Sequence, residues 1–252
     1  MLHHRVIPVV LLSGNGLVKT MRFRNPKYIG DPVNVIRIFN EKEVDELMVL
    51  DIGATRENHE PNYDLIRQFA GECFMPLAYG GGVKNVDQAQ RLFSCGVEKI
   101  CLQTAALEDH SVVSSLASLF GSQSIVVSVD IKRGFLGKPE LYASSRRRTL
   151  KINWLRKVKM LIDAGAGEVL LNAVDKDGML LGPDLELIQQ VSAISNVPLI
   201  SIGGIASLDD IKAAVNAGAN AVAASSFFIY HGPHRAVLID YPRYCELESL
   251  FL

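Results

Sequence analysis

Short apolar runs and longer amphipathic stretches alternate along the whole of this chain. The runs lie near residues 6–11, 46–50, 76–79, 99–102, 125–129, 168–172, 198–202 and 221–224. Each is close to continuously apolar, as suits a strand covered on both faces. Between them, residues 32–44, 86–93, 154–163, 185–193 and 208–216 carry a helical hydrophobic period. Parallel neighbours need a long crossover, so the order reads strand, helix, parallel strand throughout. Eight such units favour a closed (β/α)8 barrel over an open sheet, and the length of 252 residues suits that fold, which typically takes roughly 250. Residues 1–252 are read as a single barrel domain.

An internal repeat supports closure. Glu46 and Glu168, Gly81 and Gly203, Gly82 and Gly204, and Thr104 and Ser226 each stand 122 residues apart. Each pair occupies an equivalent place: a strand start, a glycine turn after a strand, or a hydroxyl after a strand. The pattern is that of a duplicated half-barrel. Residues 13–31 form the one long irregular connection, and a loop of that length in a compact fold is expected to act as a lid, with Lys19 as its candidate ligand contact.

The composition narrows the class. With 48% hydrophobic and 21% charged residues and a formal net charge of −1, the chain has material for a large core and no global basic field for nucleic acid. No apolar run is long enough to span a bilayer and no signal segment opens the chain, so a cytoplasmic protein is expected. Cys73, Cys95, Cys101 and Cys245 lack paired spacing and are expected to be reduced and mostly structural. His3, His4, His59 and His110 have no partner at ligand spacing. His231 and His234 flank Gly232-Pro233, which reads as the last loop and a helix start; no metal site and no cofactor are expected.

The reactive face of such a barrel lies at the C-terminal ends of its strands. There the chain places Gly81 and Gly82 after the third strand, and Gly203 and Gly204 after the seventh. Gln103-Thr104 and Ser225-Ser226 follow the fourth and eighth strands. Glycine lets backbone amides approach an anion, and helix N-termini hold phosphate, although tight turns use glycine for steric reasons alone. Two matching sets favour a ligand with a phosphate at each end, a barrel of the phosphate-binding type. Asp130 ends the fifth run, where a partly desolvated carboxylate can exchange a proton with a substrate; a salt bridge to Lys132 is the structural alternative. Asp175 and Asp177, followed by Gly178, suit loop capping as well as chemistry. At the opposite face Arg5, Glu46, Lys99 and Glu168 stand at strand starts, and by themselves read as ordinary strand-end charges.

The segments Arg5-Val6-Ile7-Pro8, Gly30-Asp31-Pro32, Leu50-Asp51-Ile52, Gly80-Gly81-Gly82, Gln103-Thr104-Ala105-Ala106, Gly165-Ala166-Gly167-Glu168 and Asp175-Lys176-Asp177-Gly178 resemble the cyclase subunit of imidazole glycerol phosphate synthase, from end to end. The resemblance implies a glutaminase docked on the lower face as a heterodimer, with ammonia passing a charged gate of Arg5, Glu46, Lys99 and Glu168 and then the barrel core. It also implies a phosphorylated or nucleotide-linked ligand at the upper face, near Asn172, Asp177 and the glycine turns. One departure stands out: the family has an aspartate at the end of the first strand, sharing acid and base duty with the one at Asp130, and this chain has Leu11. Asn172 and Gln103 also replace the usual threonine and asparagine.

Residues 227–239 and 71–76 resemble a narrower branch, associated with acetamidino modification of sugars in bacterial surface polysaccharides such as O-antigen. In that branch the barrel and its glutaminase supply ammonia to an ATP-dependent sugar amidotransferase. This resemblance makes an ammonia-channelling, cyclase-like lyase-type subunit serving acetamidino sugar formation the leading expectation. The alternatives are a cyclase of histidine biosynthesis and a non-catalytic scaffold that activates the glutaminase.

Overall fold

The computed structural model describes residues 4–251; His3 lies outside the described residues. Eight strands form a barrel: β1 (Arg5–Ser13), β2 (Leu47–Asp51), β3 (Leu77–Gly80), β4 (Lys99–Leu102), β5 (Ile125–Arg133), β6 (Glu168–Ala173), β7 (Leu199–Ile202) and β8 (Ala221–Ala224). Each pairs in parallel with the next, and β8 closes on β1 from Arg5↔Ala221 to Pro8↔Ala224. The outer layer comprises α1 (Pro32–Glu41), α2 (Tyr63–Ala70), α3 (Val86–Ser94), α4 (Ser111–Phe120), α5 (Trp154–Asp163), α6 (Leu185–Ser192), α7 (Leu208–Asn216) and α8 (Tyr244–Phe251). The fold is a (β/α)8 barrel, as the alternation of runs requires.

Local chemistry sets where the helices begin. Asp31, Asn62, Asn85, Asn153, Asp184 and Ser207 each accept a hydrogen bond from the amide three residues on, satisfying a donor the helix leaves free. The strands bury both faces by their period of two. In β1, Ile7, Val9 and Leu11 point into the barrel and join Met48, Ala78, Cys101, Val126, Leu170 and Ile200. Val6, Val10 and Leu12 point outward beneath the helices. No helix among the described residues is long and apolar enough to cross a membrane. Cys95 and Cys101 are buried, Cys73 is half-buried, Cys245 is exposed, and all four are free.

Three expectations need correction. The segment 13–31 is not irregular: Gly16–Met21 continues from β1 as an antiparallel strand and pairs with Arg24–Gly30. Its two-residue turn puts Arg22 and Phe23 at φ +51° and +61°, a conformation usually signalled by Asn-Gly, so the sequence gives no warning of it. The helix expected over 32–44 ends at Glu41, since Glu43 takes φ +54°. Pro233 starts no helix; it sits in the turn between the short strands Tyr230–His231 and Ala236–Val237, and α8 begins only at Tyr244. A further excursion follows β5, where Pro139–Ala143 and Arg148–Leu150 extend the sheet antiparallel beyond Ile131.

Candidate active site at the barrel mouth

The C-terminal ends of the strands open into a cavity of about 740 Å³, with Val9, Leu11, Leu50 and Ile202 on its apolar side and Asp130, Gln103, Asn172 and Lys19 among its polar groups. Asp130 points into it because it shares the inward face of β5 with Val126 and Ser128, four and two residues back. It is 4% exposed. Its Oδ1 accepts from the Ser128 hydroxyl at 3.3 Å and its Oδ2 from Gln103 Nε2 at 2.5 Å. Burial pushes its carboxyl up to about 7; the charge of Asp177 adds to this and the Ser128 hydrogen bond opposes it. Lys132 forms no salt bridge with it; its ammonium lies 5.4 Å from the centre of the Tyr142 ring.

Gln103 is fully engaged. Its amide also donates to the Tyr142 carbonyl at 3.3 Å, and its Oε1 accepts from Ser144 at 2.7 Å and Thr104 at 3.3 Å. The excursion after β5 is thus tied to Asp130 through one side chain. Leu11 lies on the inward face of β1, paired with Leu50 on β2 and Val18 in the hairpin, so the β1 end of the mouth is apolar.

Asp177 holds the hairpin over this opening. Its carboxylate accepts from the Thr20 hydroxyl at 3.0 Å and the Phe23 amide at 3.2 Å, and its carbonyl accepts from the Arg22 amide at 3.0 Å. Asp175 is a backbone anchor instead, accepting from the Arg133 amide at 2.6 Å. The Phe23 and Tyr142 rings, one from each excursion, meet with centroids 6.2 Å apart. Lys19 is 3% exposed, and burial lowers its ammonium to about 8 against the pull of Asp177.

The repeated glycine turns sit where the repeat places them. A smaller cavity of about 20 Å³ adjoins the mouth, lined by Lys19, Asp177, Gly178, Gly203, Gly204, Ser225 and Ser226. The hydroxyls of Ser225 and Ser226 are buried there without a hydrogen-bond partner. The first set, Gly81, Gly82 and Thr104, borders the large cavity with Lys84, Arg146 and Arg147 close by on its lining. Packing alone requires two of these glycines: a Cβ on Gly81 would lie 2.4 Å from the Asp51 carbonyl, and one on Gly204 would lie 2.1 Å from that of Gly182. Thr104 and Ser226 each open a short helix, Thr104–Glu108 and Ser226–Ile229.

At the opposite end of the barrel the four charges close a ring. Arg5 donates to Glu46 and, at 2.8 Å, to Glu168; Lys99 reaches Glu46 at 2.8 Å and Glu168 at 3.2 Å. Each cation therefore meets both anions, which offsets part of the cost of burying Glu46 and Glu168.

Sequence reasoning missed Ser128, although a polar residue two positions before Asp130 in an apolar run must share its face. It also missed Lys84, two residues after the first glycine turn, and Tyr142, Ser144, Arg146 and Arg147, for which no signal exists until the excursion after β5 is known.

Residues 5–234 match the family model of the histidine biosynthesis proteins. The chain is 49% identical over 249 residues to a protein of Pseudomonas aeruginosa provisionally named imidazole glycerol phosphate synthase subunit hisF2, covering 98% of this chain and 99% of that one. It is 47% identical over 253 residues to a Leptospira borgpetersenii protein provisionally named subunit HisF of the same synthase, covering both chains completely. With the imidazole glycerol phosphate synthase subunit HisF of Thermobifida fusca it shares 39% identity over 229 residues, 89% of this chain and 90% of that one. Barrel, family match and relatives agree, and the chain belongs to the HisF-like family of imidazole glycerol phosphate synthase cyclase subunits within the histidine biosynthesis proteins.

Proposed function

We propose that this barrel is the synthase subunit of a glutamine-dependent complex of the imidazole glycerol phosphate synthase type. In this reading a glutaminase docks at the ring face, ammonia crosses the barrel, and the mouth holds a ligand with phosphate groups. The observation that carries it is the coaxial arrangement of three layers. A ring of Arg5, Glu46, Lys99 and Glu168 closes the lower end. An apolar interior of Ile7, Val9, Cys101, Leu170 and Ile200 lies above it. The cavity bearing Asp130 opens at the top. An apolar bore favours a small neutral molecule over ions, which would have to shed their hydration to enter it.

At the mouth each residue has a defined part. Lys19 with Ser225, Ser226 and Gly204 supplies an ammonium, two free hydroxyls and close backbone for one phosphate. Gly82 and Thr104, with Lys84, Arg146 and Arg147 on the rim, face the other. Asp130 is the proton-transfer group, and a carboxyl held near neutrality can both donate and accept at physiological pH. Gln103 positions it. The hairpin from Gly16–Met21 to Arg24–Gly30 covers the bound ligand, with Asp177 as its tether.

The family and the names of its relatives support formation of imidazole glycerol phosphate over the polysaccharide-sugar branch. Leu11 favours a second reading, in which ammonia passes to a separate acceptor such as a sugar amidotransferase, because leucine can neither give nor take a proton. Ammonia-dependent cyclisation by the purified barrel separates the two. The first reading expects turnover in the wild type, lower than in Leu11→Asp by the roughly 10²–10⁴-fold that a missing general acid or base costs. No turnover in either protein would favour the second.

A further inference from the structure

Gln103 leaves Asp130 one oxygen for a mobile proton. It directs both N–H donors at acceptors, Asp130 Oδ2 and the Tyr142 carbonyl, while its own carbonyl accepts from the Ser144 and Thr104 hydroxyls. The Tyr142 carbonyl can only accept, which fixes the way the amide faces. Oδ2 therefore always meets an N–H, and the proton of the neutral carboxyl belongs on Oδ1. The group on Oδ1 is the Ser128 hydroxyl, at 3.3 Å. Ser128 is 8% exposed, shares the inward face of β5 and lines the large cavity. Among the described residues nothing else bonds to its oxygen, so the hydroxyl is free to turn. Asn172, in register with Asp130 on β6, does not serve the carboxyl, and its own Oδ1 is buried without a partner. From the elements that flank β5 and the cover above it, Cys101, Tyr142, Asp177 and Lys19 line the same cavity, and none of their side chains bonds to either member of the pair. Leu11, on β1, brings no exchangeable proton.

We propose that Ser128 is a second proton-transfer residue of this mouth, relaying protons between the ligand and Asp130 Oδ1. The inference rests on the reading that the mouth carries out cyclisation. With Asp130 ionised, Ser128 donates to Oδ1; with Asp130 neutral, the hydroxyl turns and accepts from it, which frees its own hydrogen. In the forward step an N–H or O–H bond of the ligand breaks and its electron pair stays on the ligand. The proton joins the Ser128 oxygen as the Ser128 proton moves to Oδ1. The reverse step returns a proton to the ligand and restores the carboxylate. A hydroxyl beside one carboxylate thus supplies both a donating and an accepting position, although Leu11 offers neither.

Carbon NMR of labelled protein tests the pair without any ligand. The Asp130 carboxyl and the Ser128 Cβ should titrate with one midpoint, near 7. Ser128→Ala should move the Asp130 midpoint to higher pH, because the charged form loses a donor, and Ser128→Thr should keep it in place. In ammonia-dependent cyclisation Ser128→Ala should lower kcat by roughly 10²-fold at unchanged KM. Ser128→Thr, which carries the same hydroxyl, should recover most of that loss. In the Leu11→Asp background the loss on Ser128→Ala should shrink, since a second carboxylate then takes the other role. Independent midpoints for the two residues, or equal losses in both backgrounds, would overturn the proposal. With coincident midpoints, absence of turnover in every protein, Leu11→Asp included, would remove the cyclisation reading and leave the Ser128–Asp130 pair standing.

Discussion

Gln103 donates its amide to Asp130 at 2.5 Å while accepting from Ser144 at 2.7 Å, so the excursion that follows β5 and the carboxyl at the barrel's mouth are held by one side chain. The geometry fixes Asp130 but does not relieve its burial.

Asp130 titrates near 7 in the folded chain and at ~3.9 when unfolded. Between these values the folded state binds the extra proton, so stability falls as pH rises through this window and is lowest above it. Asp130→Asn removes the buried ionisation while keeping an acceptor for Gln103. It should stabilise the protein by about 2–4 kcal/mol at alkaline pH, with the gain shrinking steadily towards pH ~4. Urea unfolding of both proteins across that range reads the difference directly. A gain independent of pH would mean that the carboxyl is not strained by burial.

Asp177 joins the loop after β6 to the hairpin through Thr20 and Phe23. Arg22 and Phe23 hold positive φ angles that cost of order 1–3 kcal/mol each and persist only because their surroundings enforce them. Asp177→Ala should therefore free the hairpin, raising amide exchange across Gly16–Met21 and Arg24–Gly30 by roughly tenfold, the equivalent of about 1.4 kcal/mol. Exchange in β3 should be unchanged. Unaltered protection of the hairpin would show that strand pairing alone holds it.

Lys19 is buried beside the second glycine turn with its ammonium lowered to about 8. Inorganic phosphate bound at Gly204, Ser225 and Ser226 should weaken as pH rises through that value, because the cation it needs is lost. The anion should in turn raise the lysine's pKa. Isothermal titration between neutral and alkaline pH checks the slope, and Lys19→Met should remove most of it. Equal affinity in Lys19→Met would place the anion elsewhere.

Much of this architecture was legible in the chain. Continuous apolar runs gave all eight strands within a few residues at their ends, because strands buried on both faces leave an unbroken signal. The equal spacing of Gly81 and Gly203, and of Thr104 and Ser226, marked both turns in the chain. The hairpin was hidden because Arg22-Phe23 lacks the usual residues for its turn, and its conformation is enforced from Asp177, more than 150 residues away. Asn172 was legible as a mouth residue, but that its carbonyl is unpaired depends on which neighbours satisfy one another, and sequence does not contain that. The ring of Arg5, Glu46, Lys99 and Glu168 looked ordinary strand by strand; only barrel closure brings each cation within reach of both anions.

That ring is where the account meets its most direct test. Glutaminase of the synthase type, assayed with and without this barrel, should bind it as a heterodimer and turn over glutamine faster in its presence. A charge reversal at the exposed Glu98 beside the ring, Glu98→Lys, should weaken the complex, while Asp130→Asn at the far end should leave both binding and stimulation intact. A barrel that neither binds nor stimulates its cognate glutaminase, with the ring residues in place, would contradict the assignment of this chain as an ammonia-receiving synthase subunit.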